Sequence, residues 1–234
     1  MMVLGLIVIL AIFLGVGWAV STEMFQQRHW RRRVEEGDTP IVAALIHEAL
    51  GTWQHARPPR DTPANLWAGI QGAQLLAVTD EPAATLSTSA EGEFRTEDGA
   101  RVQVSTALDE AIALATRLLD MMLYDVPNLR LSAVRVDVYS TFTGTDGTPV
   151  QRPILTSTAD RATADDLTWE AFTPDEILAR FHTRYDRQPS GQPSPITLDP
   201  VAGTLPEQPT SANAPSPSAS VSEHADVRSH EGPA

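Results

Sequence analysis

The longest run of apolar positions lies at the start of the chain. Residues 2–20 contain no charged side chain, and as a helix of about 19 residues they would be roughly 28 Å long, close to the hydrocarbon thickness of a bilayer. A buried core helix is disfavoured because the run has no polar stripe to face water. A cleaved signal peptide remains an alternative, since Gly17 and Ala19 could form a cleavage site, although no basic residue precedes the run. The pattern predicts a single transmembrane anchor over residues 1–21, which contacts membrane lipid through residues 2–20.

The residues around the end of this anchor set its orientation. Four arginines lie in the charged juxtamembrane segment 22–37, and basic residues beside a span are retained on the cytoplasmic side. Tryptophans on both sides of the exit point are typical of the membrane interface. We therefore predict a single-pass signal-anchor protein of the cell membrane, with its N-terminus outside and its C-terminal domain in the cytoplasm. The residues on which this topology depends are Arg28, Arg31, Arg32, Arg33, Trp18 and Trp30.

Helical spacing of apolar residues resumes after the break at Gly37–Pro40. It predicts a helix from Ile41 to about His55 and a second from Ala64 to about Val78, separated by a Pro-Pro corner. Together they form a short helical neck over residues 38–79. The first helix either packs on the domain or lies on the membrane surface, and the spacing does not decide between the two. The small, polar stretch from Thr79 to Gly92 is predicted to be a loop.

Residues 80–186 show the alternating patterns of an α+β domain. Asp98-Gly99 favours a tight hairpin turn between two short strands, and Thr106 with Asp109 forms a capping-box-like start for a helix that runs to about Tyr124.

A longer hairpin follows that helix. The stretch 131–141 alternates as a half-buried strand does, Asp146-Gly147 turns the chain, and residues 150–156 return beside it. A two-residue turn would place Val138 opposite Leu155 and Tyr139 opposite Ile154.

The last predicted element is a helix from Thr173 to about Tyr185, which opens with a capping box formed by Thr173 and Glu176. Residues 187–234 are rich in Pro, Ser and Ala and are predicted to be a disordered tail, because they cannot bury enough apolar surface to offset the entropy of ordering. The fold class is therefore α+β, with antiparallel β-hairpins packed against helices in a ββαββα-like order.

Composition excludes several classes of function. The chain carries a net charge of -13, and residues 34–186 alone sum to -13 from 11 Arg and 24 acids. An acidic domain is repelled by nucleic acid, so we expect no nucleic-acid binding. The chain has no Cys, and all its 17 basic residues are Arg. Thiolate metal sites, Cys nucleophiles, Schiff-base chemistry and a P-loop lysine are thereby excluded.

Candidate chemistry is sparse, and we expect no cofactor. His47-Glu48 lacks the second histidine of a zinc-protease helix, because Gly51 stands at that position. The chain contains no GxSxG, SxxK or GxGxxG pattern. Two groups remain as catalytic candidates: a cluster of carboxylates that could hold a cation or cap a helix, and a histidine that could pair with Asp186 on one helix as a base and its orienter. These candidates are Asp160, Asp165, Asp166 and His182.

Three functional hypotheses follow. The first is a non-enzymatic, membrane-tethered cytoplasmic module that binds another protein, of unknown identity, or assists assembly. The second is a membrane-tethered hydrolase that uses Asp160, Asp165 and Asp166, or His182. The third is a small-ligand sensor. The small surfaces of Gly5, Gly15 and Gly17 could bring two anchors together, so a homo-oligomer is a further option.

Overall fold

A computed structural model describes residues 38–203 of the chain. The predicted anchor, the juxtamembrane arginines and Trp18 and Trp30 lie outside the described residues. Within residues 38–203, every helix is too short or too polar to cross a bilayer.

The described chain is α+β, as the sequence predicts. Its five α-helices are α1 (Thr39–His55), α2 (Ala64–Gln71), α3 (Ala107–Asp120), α4 (Arg161–Asp165) and α5 (Pro174–Leu178). A π-helical turn (Met121–Asp125) extends α3, and a 3-10 turn (Trp169–Ala171) precedes α5. The strands are β1 (Gln74–Val78), β2 (Ala83–Ser89), β3 (Phe94–Glu97), β4 (Ala100–Gln103), β5 (Ala133–Thr143), β6 (Pro149–Asp160), β7 (His182–Arg187) and β8 (Pro193–Ser194).

Six of these strands form a mixed sheet in the order β1-β2-β5-β6-β7-β8, and β3 and β4 form a separate two-stranded sheet. All neighbours pair antiparallel except β2 and β5, which run parallel. Parallel neighbours need a long crossover connection, and here the β3–β4 hairpin and α3 supply it. The sequence predicted only antiparallel hairpins and therefore missed the parallel β2–β5 pair.

The hydrophobic core lies between the helices and one face of the sheet. Val134, Val136 and Val138 of β5 are fully buried on that face, and α3 packs on β5 and β6. Helix α1 joins the same core through Val42 and Ile46, both fully buried. The sequence leaves open whether the first helix packs on the domain or lies on the membrane surface. In the structure it packs on the domain.

Two predictions for residues 64–92 were wrong. The helix predicted to reach Val78 ends at Gln71, and Gln74–Val78 form β1 instead. The predicted loop contains β2, which alternates small polar residues with core residues such as Ala84 and Leu86. Both strands form because they pair with each other and because β2 also pairs with the distant β5, so strand pairing outweighs local helical spacing.

Both predicted hairpins are present. Asp98 and Gly99 adopt the positive φ angles that a tight turn requires, at 51° and 81°. Val138 lies opposite Leu155 as predicted, but Tyr139 lies opposite Pro153 rather than Ile154. The register shifts between Val138 and Tyr139, at a proline that has no N–H to donate to the ladder.

The two capping boxes are confirmed, but the last helix is shorter than predicted. Thr106 with Asp109 opens α3, and Thr173 with Glu176 opens α5. Helix α5 ends at Leu178 rather than Tyr185, because residues 182–187 pair as a strand with the free edge of β6. The prediction of disorder from residue 187 onward was also wrong for residues 187–203, since β8 and the segment after it are hydrogen-bonded to the sheet.

Candidate functional site

The sheet face turned away from the helices is polar, and we call it the open face. Along β5 its residues alternate with the buried valines, and cross-strand register places residues of three neighbouring strands beside them. It consists of Thr85 and Ser87 on β2, Arg135, Asp137 and Tyr139 on β5, Thr156 and Thr158 on β6, and His182 and Arg184 on β7.

Asp137 is the most unusual residue of the open face, since its side chain is 0% exposed. Its Oδ1 accepts hydrogen bonds from Nε of Arg135 at 2.9 Å and from Oγ1 of Thr156 at 2.6 Å. Its Oδ2 is buried and has no hydrogen-bond partner among residues 38–203. A buried carboxylate oxygen without a donor is costly and rare in native proteins, which marks this position as a candidate for binding.

The open face is crossed by residues 195–203, which we call the C-terminal strap. The strap is first held at β6, where the N–H of Ile196 donates to the carbonyl of Pro153 at 2.9 Å. Arg184 then donates to the carbonyl of Thr197 at 2.6 Å, and Arg135 donates to the carbonyl of Asp199 at 3.1 Å. The carboxylate of Asp199 also lies 3.3 Å from the Arg184 guanidinium. Two arginines of the sheet therefore fix the strap.

The strap ends beside β1. Gly203 has a φ of +115°, and a Cβ at this position would lie only 2.6 Å from the carbonyl oxygen of Val78. A side chain would not fit so close to the strand backbone. The strap thus passes from the β6–β7 side of the sheet to the opposite edge.

A groove of about 320 Å³ lies on the open face beside β1 and β2. Tyr139, Gln74 and Ser87 are among its lining residues. Burial raises the pKa of the Tyr139 phenol, and the negative charge of Asp137 raises it further. The phenol therefore stays protonated and can donate a hydrogen bond into the groove at neutral pH.

A second cavity, of about 210 Å³, lies between α2, α3 and the end of β2. Asn65 lines it, and its Nδ2 is buried without a partner among the described residues. Glu91 also lines it but is already bound by the hydroxyl of Ser140 and the N–H of Thr141. Glu91 is therefore engaged in holding β5, and Glu110, the other acidic lining residue, accepts the hydroxyl of Ser105.

The β3–β4 hairpin with its flanking residues 93–104 forms a projection that we call the hairpin arm. All eight strand residues are exposed, on both faces of the hairpin. Three apolar side chains are among the most exposed of the domain: Phe94 (46%), Val102 (41%) and Val104 (48%).

Two of the three carboxylates predicted from sequence accept hydrogen bonds from other described residues. Asp160 is the N-cap of α4 and accepts the N–H of Thr163 at 2.8 Å, which lowers its pKa. Asp165 accepts the hydroxyl of Tyr124 at 2.9 Å. Asp166 is the exposed residue that ends α4.

His182 lies at the start of β7 rather than on a helix, so its predicted pairing with Asp186 was wrong. Residues four apart on a strand are separated by roughly 13 Å, beyond the reach of a base and its orienter. The histidine is instead exposed on the open face, opposite Thr158.

The four catalytic candidates do not line either of the two cavities described above. Over residues 38–203, no group of three or more His, Asp and Glu side chains is placed to hold a metal ion. The residues that the structure does bring together are Arg135, Asp137, Thr156, Arg184 and Asp199. In the sequence, only the spacing of Arg135 and Asp137 indicates this cluster, because its other members come from distant segments.

Comparison of the chain with protein-family models, with curated proteins and with solved structures found no match. Functional conclusions must therefore come from the chemistry of the chain itself.

Proposed function

We propose that this protein is a non-enzymatic binding module, held at the cytoplasmic face of the cell membrane by residues 2–20, that binds or helps to assemble a partner protein. The hairpin arm is the observation on which this proposal rests. A two-stranded hairpin is marginally stable alone, and exposed apolar side chains on a projection are typical of interaction surfaces. Here Phe94 lies on one face of the hairpin and Val102 on the other. The arm would supply the partner with both side chains and free strand edges.

The arm is exposed but well anchored at its base. The N–H of Val104 donates to the carbonyl of Glu93 at 2.8 Å, and the N–H of Glu93 donates to the hydroxyl of Ser105 at 3.2 Å. Further out, the Arg101 guanidinium lies 4.0 Å from the centre of the Phe94 ring. An ordered arm loses little conformational entropy when it binds, which favours its use as a docking element.

The arm can be tested by photo-crosslinking the full-length protein in its own membrane. A photoreactive residue at Val102 should form one reproducible adduct with a partner. Val150 offers a matched control, because it is also a valine, is exposed to 38% and lies on the other hairpin. Val102→Ser should weaken co-purification of the crosslinked partner by about tenfold, as expected at an interface centre, whereas Val150→Ser should not.

A crosslink between two copies of the chain would identify the partner as the chain itself and favour the homo-oligomer. Equal adducts from both positions, or a Val102→Ser variant that retains the partner, would remove the basis of the proposal.

The membrane part of the proposal can be tested separately because the chain has no cysteine. Single cysteines give reporters without background, one inserted directly after Met1, ahead of the predicted span, and one replacing the exposed Ser190. A membrane-impermeant maleimide added to intact cells should label the first and not the second, and the protein should resist extraction by alkaline carbonate. The reverse labelling, or release by carbonate, would contradict the proposed topology.

A further inference from the structure

We infer that the open face is a docking surface for an extended acidic segment of a partner protein, and that the C-terminal strap is the chain's own displaceable occupant of that surface. The strap shows which chemistry the face accepts. Arg135 and Arg184 hold two of its backbone carbonyls, and Arg184 also pairs with its one carboxylate. Any extended chain offers such carbonyls, so the specific feature is the acid at the position of Asp199.

The strap also defines a side-chain pattern. Ile196 and Leu198 are half-buried, whereas Thr197 and Asp199 between and after them are exposed. This alternation is that of an extended strand lying on a surface. We therefore expect the face to prefer a segment in which two aliphatic residues, separated by one residue, are followed directly by an acidic residue.

Charge complementarity favours an acidic ligand. Residues 34–186 sum to -13, yet the open face presents Arg135 and Arg184 close together with His182 at its edge. Asp137 compensates Arg135 only. An acidic segment is thus repelled by most of the domain surface and attracted at this face, which gives the site its specificity.

The strap is poorly suited to permanent closure. The side chain of Asp199 is 77% exposed and that of Arg184 48%, and ion pairs so exposed contribute little. On the same face, Oδ2 of Asp137 stays without a donor among the described residues. A partner segment that places an N–H or O–H over this oxygen would bind more tightly than the strap does. Until then, tethering keeps the strap in place through its high effective concentration.

The inference can be tested by removing the tether. A protease site inserted between Ser190 and Gly191, in the turn before β8, allows the full chain to fold and then to be cut. A fluorescent peptide with the sequence of residues 193–203 is the probe, and its anisotropy reports binding. The uncut protein should bind it weakly, and the cut protein should bind it at least about tenfold more tightly. A peptide carrying Asp199→Ala should bind about threefold more weakly, as expected for loss of an exposed ion pair, and a scrambled peptide should not bind.

Three outcomes would overturn the inference: a cut protein that keeps its own fragment and excludes the probe, one that releases the fragment but ignores the probe, and one that binds both peptides equally. Dimers formed by exchanged straps would assign the face to a second copy of the chain and overturn the assignment to another protein.

A second measurement covers the case in which the cut protein unfolds. Thr85 lies buried beside Arg135 on the open face, so Thr85→Cys in the uncut, cysteine-free chain reports opening of the strap by its rate of thiol modification. Asp199→Ala should raise that rate severalfold, whereas Asp146→Ala, at an exposed turn, should leave it unchanged. Equal rates would overturn the inference. Because the hairpin arm is not involved, either proposal can fail alone.

Discussion

Arg135 and Asp137 stand two residues apart on β5, and the guanidinium Nε donates to the carboxylate Oδ1 at 2.9 Å although the aspartate is fully buried. Successive side chains of a strand alternate between its faces, so residues at this spacing share one face. The same guanidinium reaches over to the carbonyl of Asp199. A single arginine therefore links a buried charge to the C-terminal strap.

Removing the buried carboxylate is expected to destabilise the domain strongly. Asp137→Ala would leave the Arg135 guanidinium and the Thr156 hydroxyl without their acceptor. Loss of one partner of a buried ion pair costs about 3–5 kcal/mol. Urea unfolding of the purified protein, followed by tryptophan fluorescence, measures this loss.

The matched control is the exposed pair between Arg184 and Asp199. Asp199→Ala should cost about 0–1 kcal/mol, because solvent screens that pair. Similar losses for the two variants would contradict the assignment of Asp137 as a buried, paired charge.

Local signals in the sequence predicted the parts of the fold that depend on local physics. The turn at Asp98-Gly99 and the capping boxes at Thr106 and Thr173 depend on backbone groups within a few residues, and all three are present. The strands that were predicted to be helical, β1 and β7, form by pairing with β2 and β6. Their residues are compatible with a helix, and only the neighbouring strand decides against it.

The candidate site was harder to predict for the same reason. The i, i+2 spacing of Arg135 and Asp137 is visible in the sequence, but an exposed strand face is its commoner cause. The Arg135 guanidinium also binds the carbonyl of Asp199, 64 residues further along the chain, in a tail that its Pro- and Ser-rich composition had assigned to disorder. Composition averages over the tail and does not reveal the few residues, such as Ile196, that are hydrogen-bonded to the sheet.

Asp160 is expected to act as a helix cap rather than a catalytic acid. Asp160→Asn keeps an oxygen acceptor for the N–H of Thr163 and should change stability little at neutral pH, whereas Asp160→Ala should lose about 1 kcal/mol. Urea unfolding at pH 7 distinguishes the two.

The acid dependence of stability provides an independent check on Asp160. The hydrogen bond from Thr163 lowers the pKa of Asp160 in the folded state below the usual 3.8. Its contribution is therefore complete well above pH 3.8 and is lost as the pH falls through the lower folded-state pKa. In the Asp160→Asn variant, the free energy of unfolding should therefore fall less steeply as the pH is lowered in the acid range. An unchanged slope would show that the carboxylate is not held in this way.

Tyr124 is expected to affect stability at the alkaline end. Burial and the hydrogen bond to Asp165 raise its pKa from 10.0 to about 12. The folded protein therefore keeps a proton that the unfolded chain loses, so this contribution is present below pH 10 and disappears as the pH rises towards 12. Tyr124→Phe should reduce the slope of stability against pH in that window. A wild-type slope in the variant would contradict the hydrogen-bonded assignment.

The packing of helix α1 on the domain, rather than on the membrane surface, can be tested by substitution. Ile46 is fully buried in the core, whereas its neighbour His47 is exposed. Ile46→Ala should cost about 2–5 kcal/mol of unfolding free energy because it opens a cavity, and His47→Ala should stay within about 0.5 kcal/mol. Urea unfolding of the full-length protein in mild detergent measures both. If α1 lay on the membrane surface instead, Ile46→Ala would leave the unfolding transition unchanged and would reduce only the binding of the domain to lipid.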